Sequence, residues 1–265
     1  MKTLFITLVL AYVAVATLAY FASDRLIFLP PASSYARGEL PIILVPTRDG
    51  ARIAALHLPN DTAAYTVLYS HGNAEDVGHL VDLFEAMRDE VGVSVIGYDY
   101  RGYGLSTGGP PTTHATADDA EAVYAWATQE LGIDPRRLIL HGRSVGSGPA
   151  IELARHHPEI AGLIIESGFT SAFRVMTRVP ILPFDRFPNL RHLRHVRTPV
   201  LVIHGVRDEV IPFAHGERLY AEAPDPKRAY WVDAAGHNDL VHTAGGGYWQ
   251  ALQGFVEMVE RTPRR

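Results

Sequence analysis

Apolar positions along this chain alternate between a two-residue and a 3.6-residue period, and that alternation predicts a layered α/β domain. Ile42–Val45 and Arg52–His57 are β-rich runs separated by Arg48-Asp49-Gly50, where Asp-Gly suits a hairpin turn. Thr66–Ser70 forms a third strand that ends at His71-Gly72-Asn73. Val77, Leu80, Phe84, Met87 and Val91 then recur at helical spacing, with Gly92 placed to end that helix before the buried strand Val93–Tyr98. Thr116–Leu131 reads as an amphipathic helix: Ala120, Val123, Ala127 and Leu131 share a face, and Asp118, Asp119 and Glu121 suit its N-terminal dipole. Strands at Leu138–His141, Gly162–Ile165, Val200–His204 and Tyr230–Val232 alternate with helices at Val145–His156, Phe213–Ala223 and Tyr248–Glu260. Such alternation implies a mostly parallel sheet of about eight strands, covered by helices on both faces. Gly168–Val196 breaks the pattern and is rich in Arg, Phe and Pro.

The N-terminus follows another logic. Leu4 to Ala22 is uncharged and mostly apolar, with Lys2 before it and Asp24-Arg25 after it. Nineteen residues at ~1.5 Å rise span about 28 Å, close to a bilayer's hydrocarbon thickness. A single membrane anchor, a cleaved signal peptide and a buried N-terminal helix all fit such a stretch, and its length favours the anchor. By the positive-inside tendency, Lys2 and the amino terminus stay cytoplasmic and the rest of the chain faces outward. The expected organisation is an anchor or signal segment over residues 1–25, a linker over 26–40, and an α/β domain over 41–265 with a short cap at about 168–196.

Composition removes several classes of function. The 265 residues carry a net charge of −5 without a basic block, so a nucleic-acid surface is not expected. No cysteine is present, which excludes disulfides, a thiol nucleophile and Cys-ligated zinc.

The chemistry gathers at strand ends. Gly142-Arg143-Ser144-Val145-Gly146 is a G-x-S-x-G element between a predicted strand and helix, where the serine must sit on a tight turn and flanking side chains would collide with the crossing elements. Gly142, Gly146 and Gly148 also spell a glycine pattern of dinucleotide-binding reductases. That loop normally follows a domain's first strand, and the Tyr-x-x-x-Lys partner is missing, since position 223 before Lys227 is Ala. A serine nucleophile needs a base and an orienting acid, in the chain order Ser, acid, His. His237 lies just past the last strand and is the expected base, with His242 in reserve. Asp208, after the strand Val200–His204, is the expected acid, and Glu166 the alternative. The oxyanion donors expected are the backbone amides of Val145 and of Asn73, with Ala74 as the alternative to Asn73. His71, His141 and His204 each precede a glycine at a strand end and read as packed imidazoles.

Several strings together resemble one branch of the α/β-hydrolase superfamily. They are Ser70-His71-Gly72-Asn73-Ala74, Tyr98-Asp99-Tyr100-Arg101-Gly102-Tyr103-Gly104, the Ser144 turn, Val202-Ile203-His204-Gly205 with Asp208-Glu209-Val210-Ile211, Gly236-His237-Asn238-Asp239, and Phe187-Pro188-Asn189. The resemblance runs from about residue 40 to 260. It implies the α/β-hydrolase fold and a triad at Ser144, Asp208 and His237, in agreement with the residue-level reading. The branch includes proteins with one N-terminal membrane segment and eukaryotic protein depalmitoylases. Depalmitoylating members carry a cysteine-rich, lipidated N-terminus, and this cysteine-free chain departs from that pattern.

The expected activity is two-step acyl transfer from a carboxylic ester or thioester to water, with a peptidase or a non-catalytic membrane-tethered scaffold as rivals. No cofactor and no metal are required. The expected partners are a small or lipid-like acyl substrate and the membrane, and the chain is expected to be a monomer. Activity should fall on the acid side as His237 protonates. Phe173, Val175, Met176 and Ile181 of the cap are expected either as an apolar pocket wall or as ordinary core.

Overall fold

The computed structural model describes residues 1–177 and 179–263; Arg178 of the expected cap, and Arg264 and Arg265 at the end of the expected domain, lie outside the described residues. Eight strands form one sheet in the order β1-β2-β4-β3-β5-β6-β7-β8. They are β1 (Ile42–Pro46), β2 (Arg52–Leu58), β3 (Thr66–Ser70), β4 (Ser94–Tyr98), β5 (Leu138–Arg143), β6 (Gly162–Glu166), β7 (Val200–Gly205) and β8 (Lys227–Val232). β1, β2 and β4 pair antiparallel, and every pairing from β4 through β3 to β8 is parallel.

The two-residue period sorts the strand side chains into two cores. Leu68, Leu140, Ile165 and Val202 point to one face, and Val67, Ile139, Ile164 and Leu201 to the other. Ahead of the sheet stands α1 (Lys2–Ile27), and α2 (Val81–Ala86) covers the second face with Phe84. The first face receives α3 (Thr113–Gln129) and α4 (Ser147–His156), through Val123, Ala127, Ile151 and Leu153. The irregular stretch after β6 holds two short helices, α5 (Ala172–Met176) and α6 (Asn189–Leu193). α7 (Ala214–Glu222) adds Leu219 to the first core, while α8 (Leu240–Ala244) and α9 (Gly246–Arg261) close the second with Leu240, Tyr248, Leu252 and Phe255.

Two elements differ from their sequence pattern for local reasons. The single helix expected over Val77–Val91 is wound three ways: a 3₁₀ turn at Val77–Leu80, then α2, then a π turn at Met87–Val91. Asp76 caps its start by accepting the His79 amide, and Gly92 in the left-handed region (φ 75°) ends it. α3 begins at Thr113 rather than Thr116, because the Thr112 side chain accepts the Ala115 amide and caps the first turn.

α1 contains an 18-residue window of mean hydropathy 2.3, none of it buried by the rest of the chain, and is long and apolar enough to cross a membrane. Its C-terminal end is fastened to the domain. Asp24 accepts from the Thr113 hydroxyl (2.7 Å), and the Arg186 guanidinium donates to the Tyr20 carbonyl (2.7 Å) and the Ser23 hydroxyl (2.9 Å). Of residues 26–40, expected as a linker, the first two continue α1, and 28–40 run irregularly over the domain and bury Phe28 and Tyr35. The Tyr35 hydroxyl donates to buried Asp99, whose carboxyl burial pushes up to about 7 against the hydrogen bonds from Tyr35 and the Val77 amide.

Candidate active site

β5 delivers Ser144 to the C-terminal rim of the sheet on a turn that only particular neighbours allow. Ser144 has φ +51°, a left-handed conformation unusual for a residue with a side chain. A Cβ on Gly142 would meet the Gly146 carbonyl at 2.5 Å and the Ala150 methyl at 2.7 Å; one on Gly146 would strike the carbonyls of Ser70 and His71 on the neighbouring strand end. Both glycines are therefore steric requirements of the turn. The Ser147 hydroxyl donates to the Ser144 carbonyl (2.6 Å), and the Asn189 amide group donates to the Ser147 oxygen (3.2 Å) and the Phe169 carbonyl (3.0 Å). A Cβ on Gly148 would overlap the Phe187 ring, so Phe187-Pro188-Asn189 is keyed onto the start of α4.

The loop after β7 places Asp208 by its backbone bonds: one carboxylate oxygen accepts the amides of Val210 (2.9 Å) and Ile211 (2.6 Å). The other lies 2.7 Å from His237 Nδ1. Burial alone would raise the Asp208 carboxyl, but the His237 ring and the Ile211 amide outweigh it and hold the group below the usual carboxylate range. An ionised Asp208 accepts a hydrogen bond from Nδ1–H, which leaves His237 Nε2 to accept from the Ser144 hydroxyl at 3.0 Å. All three residues are buried. The three side chains expected to meet thus form a continuous chain of hydrogen bonds across sequence separations of 93 and 29 residues.

Asn73 and Val145 flank the same rim. The Ala74 amide, the alternative donor, is turned toward Asn73 Oδ1 (3.1 Å), and Ala74 itself has φ +57°. Among the described residues the Asn73 amide has no acceptor. The Asn73 side chain has a further role that its motif does not announce. Its oxygen accepts the Leu29 amide (2.9 Å) and the Tyr103 hydroxyl (2.6 Å), and its nitrogen donates to the Ile27 carbonyl (2.7 Å). The end of α1 is therefore stapled to the loop beside Ser144.

The other residues weighed for catalysis lie elsewhere. Glu166 is buried beneath the site and accepts from Tyr248 (2.7 Å), with His141 Nε2 at 2.9 Å. His242 is exposed on α8. His71, His141 and His204 are all buried, and burial lowers the pKa of His71 and His204. His204 stands closer to the site than a merely packed ring: its Nε2 lies 3.4 Å from Asp208 and 2.9 Å from the Ile211 carbonyl. Among the described residues no group of three or more His, Asp or Glu side chains could hold a metal ion.

Sequence reasoning missed one network entirely. Arg143, next to Ser144, donates from one guanidinium nitrogen to both Glu75 oxygens (2.8 Å each) and lies 3.5 Å from Glu166. It also donates to the His237 carbonyl (3.3 Å) and to Asn238 (3.2 Å), while Glu75 accepts the Gly72 amide (2.5 Å). One guanidinium thus ties together the loops bearing Asn73, Ser144 and His237. Its signal was the charged residue inside G-x-S-x-G followed in space by the Glu of His71-Gly72-Asn73-Ala74-Glu75.

Comparison with known proteins places this architecture. A family described as serine aminopeptidase, S33, matches residues 61–184. The human α/β-hydrolase domain-containing protein 17B is 36% identical over 229 residues, covering 84% of this chain and 77% of the relative. Its Xenopus tropicalis counterpart is 37% identical over the same length, again with 84% and 77% covered. Among solved structures, an esterase of Pyrococcus furiosus superposes with a TM-score of 0.73 at 17% identity, over 88% of this chain and 98% of its own. At that identity the esterase supports the fold alone, whereas the 17B relatives carry the family. This chain is a hydrolase-family protein of the α/β-hydrolase superfamily, and belongs to the family of the α/β-hydrolase domain-containing 17 proteins.

Proposed function

We propose that this protein is a serine hydrolase that cleaves carboxylic esters or thioesters, with Ser144 as nucleophile, His237 as base and Asp208 as its orienting acid. The observation that carries the reading is the relay Asp208–His237–Ser144, at 2.7 and 3.0 Å. Ser144 Oγ attacks the acyl carbon while His237 Nε2 takes its proton, and Asp208 holds the ring and stabilises the imidazolium that forms. The amides of Asn73 and Val145 donate to the substrate oxygen as it becomes negative. His237 then protonates the departing alcohol or thiol, leaving an acyl group on Ser144. Water attacks that ester, again losing its proton to His237, and releases the acid. No cofactor enters this cycle. α1 is read as a membrane anchor that holds a monomeric catalytic domain near lipid-like acyl substrates, on the outer side by the position of Lys2.

A fluorophosphonate should label wild-type Ser144 covalently and leave Ser144→Ala unlabelled; labelling that survives the substitution removes Ser144 as nucleophile. The serine aminopeptidase description of the matching family favours a second reading, amide hydrolysis. An ester, a thioester and an amide of one acyl group, compared at equal concentration, separate the two: faster amide turnover decides for the peptidase.

A further inference from the structure

Asp208 is a carboxylate taken out of water, and its two oxygens offer about four acceptor sites. Three are filled: one oxygen takes the Val210 and Ile211 amides, and the other takes His237 Nδ1. The fourth faces His204, whose Nε2 stands 3.4 Å from the oxygen that His237 uses. His204 is the penultimate residue of β7 and is fully buried. The imidazoles of the other two strand-end His-Gly pairs meet Asp99 (3.7 Å) and Glu166 (2.9 Å) instead. Contact with the catalytic acid therefore comes from the place of His204 in the fold and not from its dipeptide.

The surroundings fix which nitrogen carries the proton. Nε2 lies 2.9 Å from the Ile211 carbonyl, and a carbonyl can only accept. The ring therefore presents Nε2–H. Nδ1 has no partner among the described residues and faces the backbone of α7, where a Cβ on Gly216 would sit 2.8 Å from it. A second proton on Nδ1 would find no acceptor, and burial lowers the His204 pKa, so the ring stays neutral at pH 7.

Ile211 is then held at both ends. Its amide donates to Asp208 at 2.6 Å, and its carbonyl accepts from His204 at 2.9 Å. The loop from Asp208 to Ile211 is thus closed onto a ring that β7 and α7 keep in place. We infer that His204 is a positioning residue of this hydrolase: its Nε2–H, shared between the Ile211 carbonyl and Asp208, aims the Asp208 carboxylate at His237. The inference rests on the reading of Ser144, His237 and Asp208 as a triad, and adds a fourth side chain to it.

The neighbouring residue shows how closely the two loops are built together. A Cβ on Gly205 would meet the carbonyls of Ala235 and Gly236 at 2.5 and 2.6 Å, so the end of β7 lies directly against the loop that carries His237. Both partners of the 2.7 Å Asp208–His237 contact are therefore seated on one strand end. A neutral ring suits the chemistry as well. His237 becomes an imidazolium beside Asp208 during acyl transfer, and a second cation there would oppose it.

Variants of the full chain in detergent micelles, assayed on a short p-nitrophenyl acyl ester, separate a donor from a filler. His204→Gln keeps an N–H near the Nε2 position, His204→Phe keeps a ring without it, and His204→Asn moves the N–H toward α7. His204→Phe and His204→Asn should each lower kcat by roughly 10- to 100-fold with KM unchanged, the scale of a misplacement of about 1 Å. His204→Gln should restore kcat to within about threefold of wild type. His204→Phe as active as wild type, His204→Gln as impaired as His204→Phe, or a loss carried by KM would each overturn the positioning role. Nitrogen NMR of ring-labelled histidines in the wild type needs no variant to fold. The His204 ring should be neutral at pH 7 with its proton on Nε2, and a proton on Nδ1 or a positive charge overturns the proposal. Ester turnover that survives Ser144→Ala removes the triad reading and this inference with it, a failure visible without any change at position 204.

Discussion

The rim of the sheet and the face formed by α1 and the cap satisfy their side chains in opposite ways. At the rim, polar groups are buried and paired: Asp208 uses both oxygens, Arg143 reaches three loops, and Glu166 holds two partners. On the other face, aliphatic groups such as Met176, Val179 and Ile181 stand largely exposed beside α1. A buried polar cluster is complete only when each member has its partner, since an orphaned charge costs several kcal/mol. An exposed apolar face is complete only when something covers it. The first region therefore carries its function within the chain, and the second points outside it.

Breaking the rim should have the larger consequences. Ser144→Ala is expected to lower kcat for a p-nitrophenyl acyl ester by roughly 10⁴-fold or more, measured against the intact protein at the same folded fraction. Arg143→Met should destabilise the domain by about 3 kcal/mol in a denaturant titration, because half-buried Glu75 and fully buried Glu166 lose their shared cation. A loss below about 1 kcal/mol would mean that the guanidinium only decorates the loops.

Asn73→Ala sharpens the comparison, since it cuts the tie between the two regions and keeps the backbone amide. About 1–2 kcal/mol of local stability should disappear, seen as faster amide exchange over residues 27–35. Fluorophosphonate labelling of Ser144 should slow by only a few-fold. Labelling that collapses along with the exchange protection would show the staple and the oxyanion donor to be inseparable.

The smallest effect is a slope with pH. His141, Arg143 and Tyr248 hold the buried Glu166 carboxyl below its usual range, against the burial that raises it. A depressed native pKa gives stability that is present above the unfolded carboxyl value of about 4.3 and lost as pH falls through the native one. Wild-type melting temperature should therefore drop more steeply below about pH 4 than that of Glu166→Gln, with parallel curves above pH 5. Asp208 is likewise held below the usual carboxylate range, so its own protonation does not account for a loss of activity above pH 4.

What could be read from the sequence was whatever repeats or sits at a fixed offset. The two-period pattern placed the strands within a few residues, and Ser144, Asp208 and His237 were legible because each closes a recognisable strand-end string. Arg143 was hidden inside its own motif: its partners Glu75, Glu166 and Asn238 are near only once three loops converge. The Asn73 side chain was hidden for the same reason, as Ile27 and Leu29 lie more than forty residues away in sequence. The winding change from Val77 to Val91 leaves the apolar spacing intact and so has no periodic signature. The cap has no period, and exposure cannot be told from burial by hydrophobicity alone.

Phe187 fits over Gly148 in the space a side chain there would need, and Asn189 grips Ser147. The cap is thus a door hung from one jamb, with its hinge post set in the first turn after Ser144 and its far edge, residues 179–184, resting along α1. Anyone grafting a foreign cap should cut only at the far edge. Replacing the hinge post would transmit every misfit straight into the turn that aims the Ser144 hydroxyl.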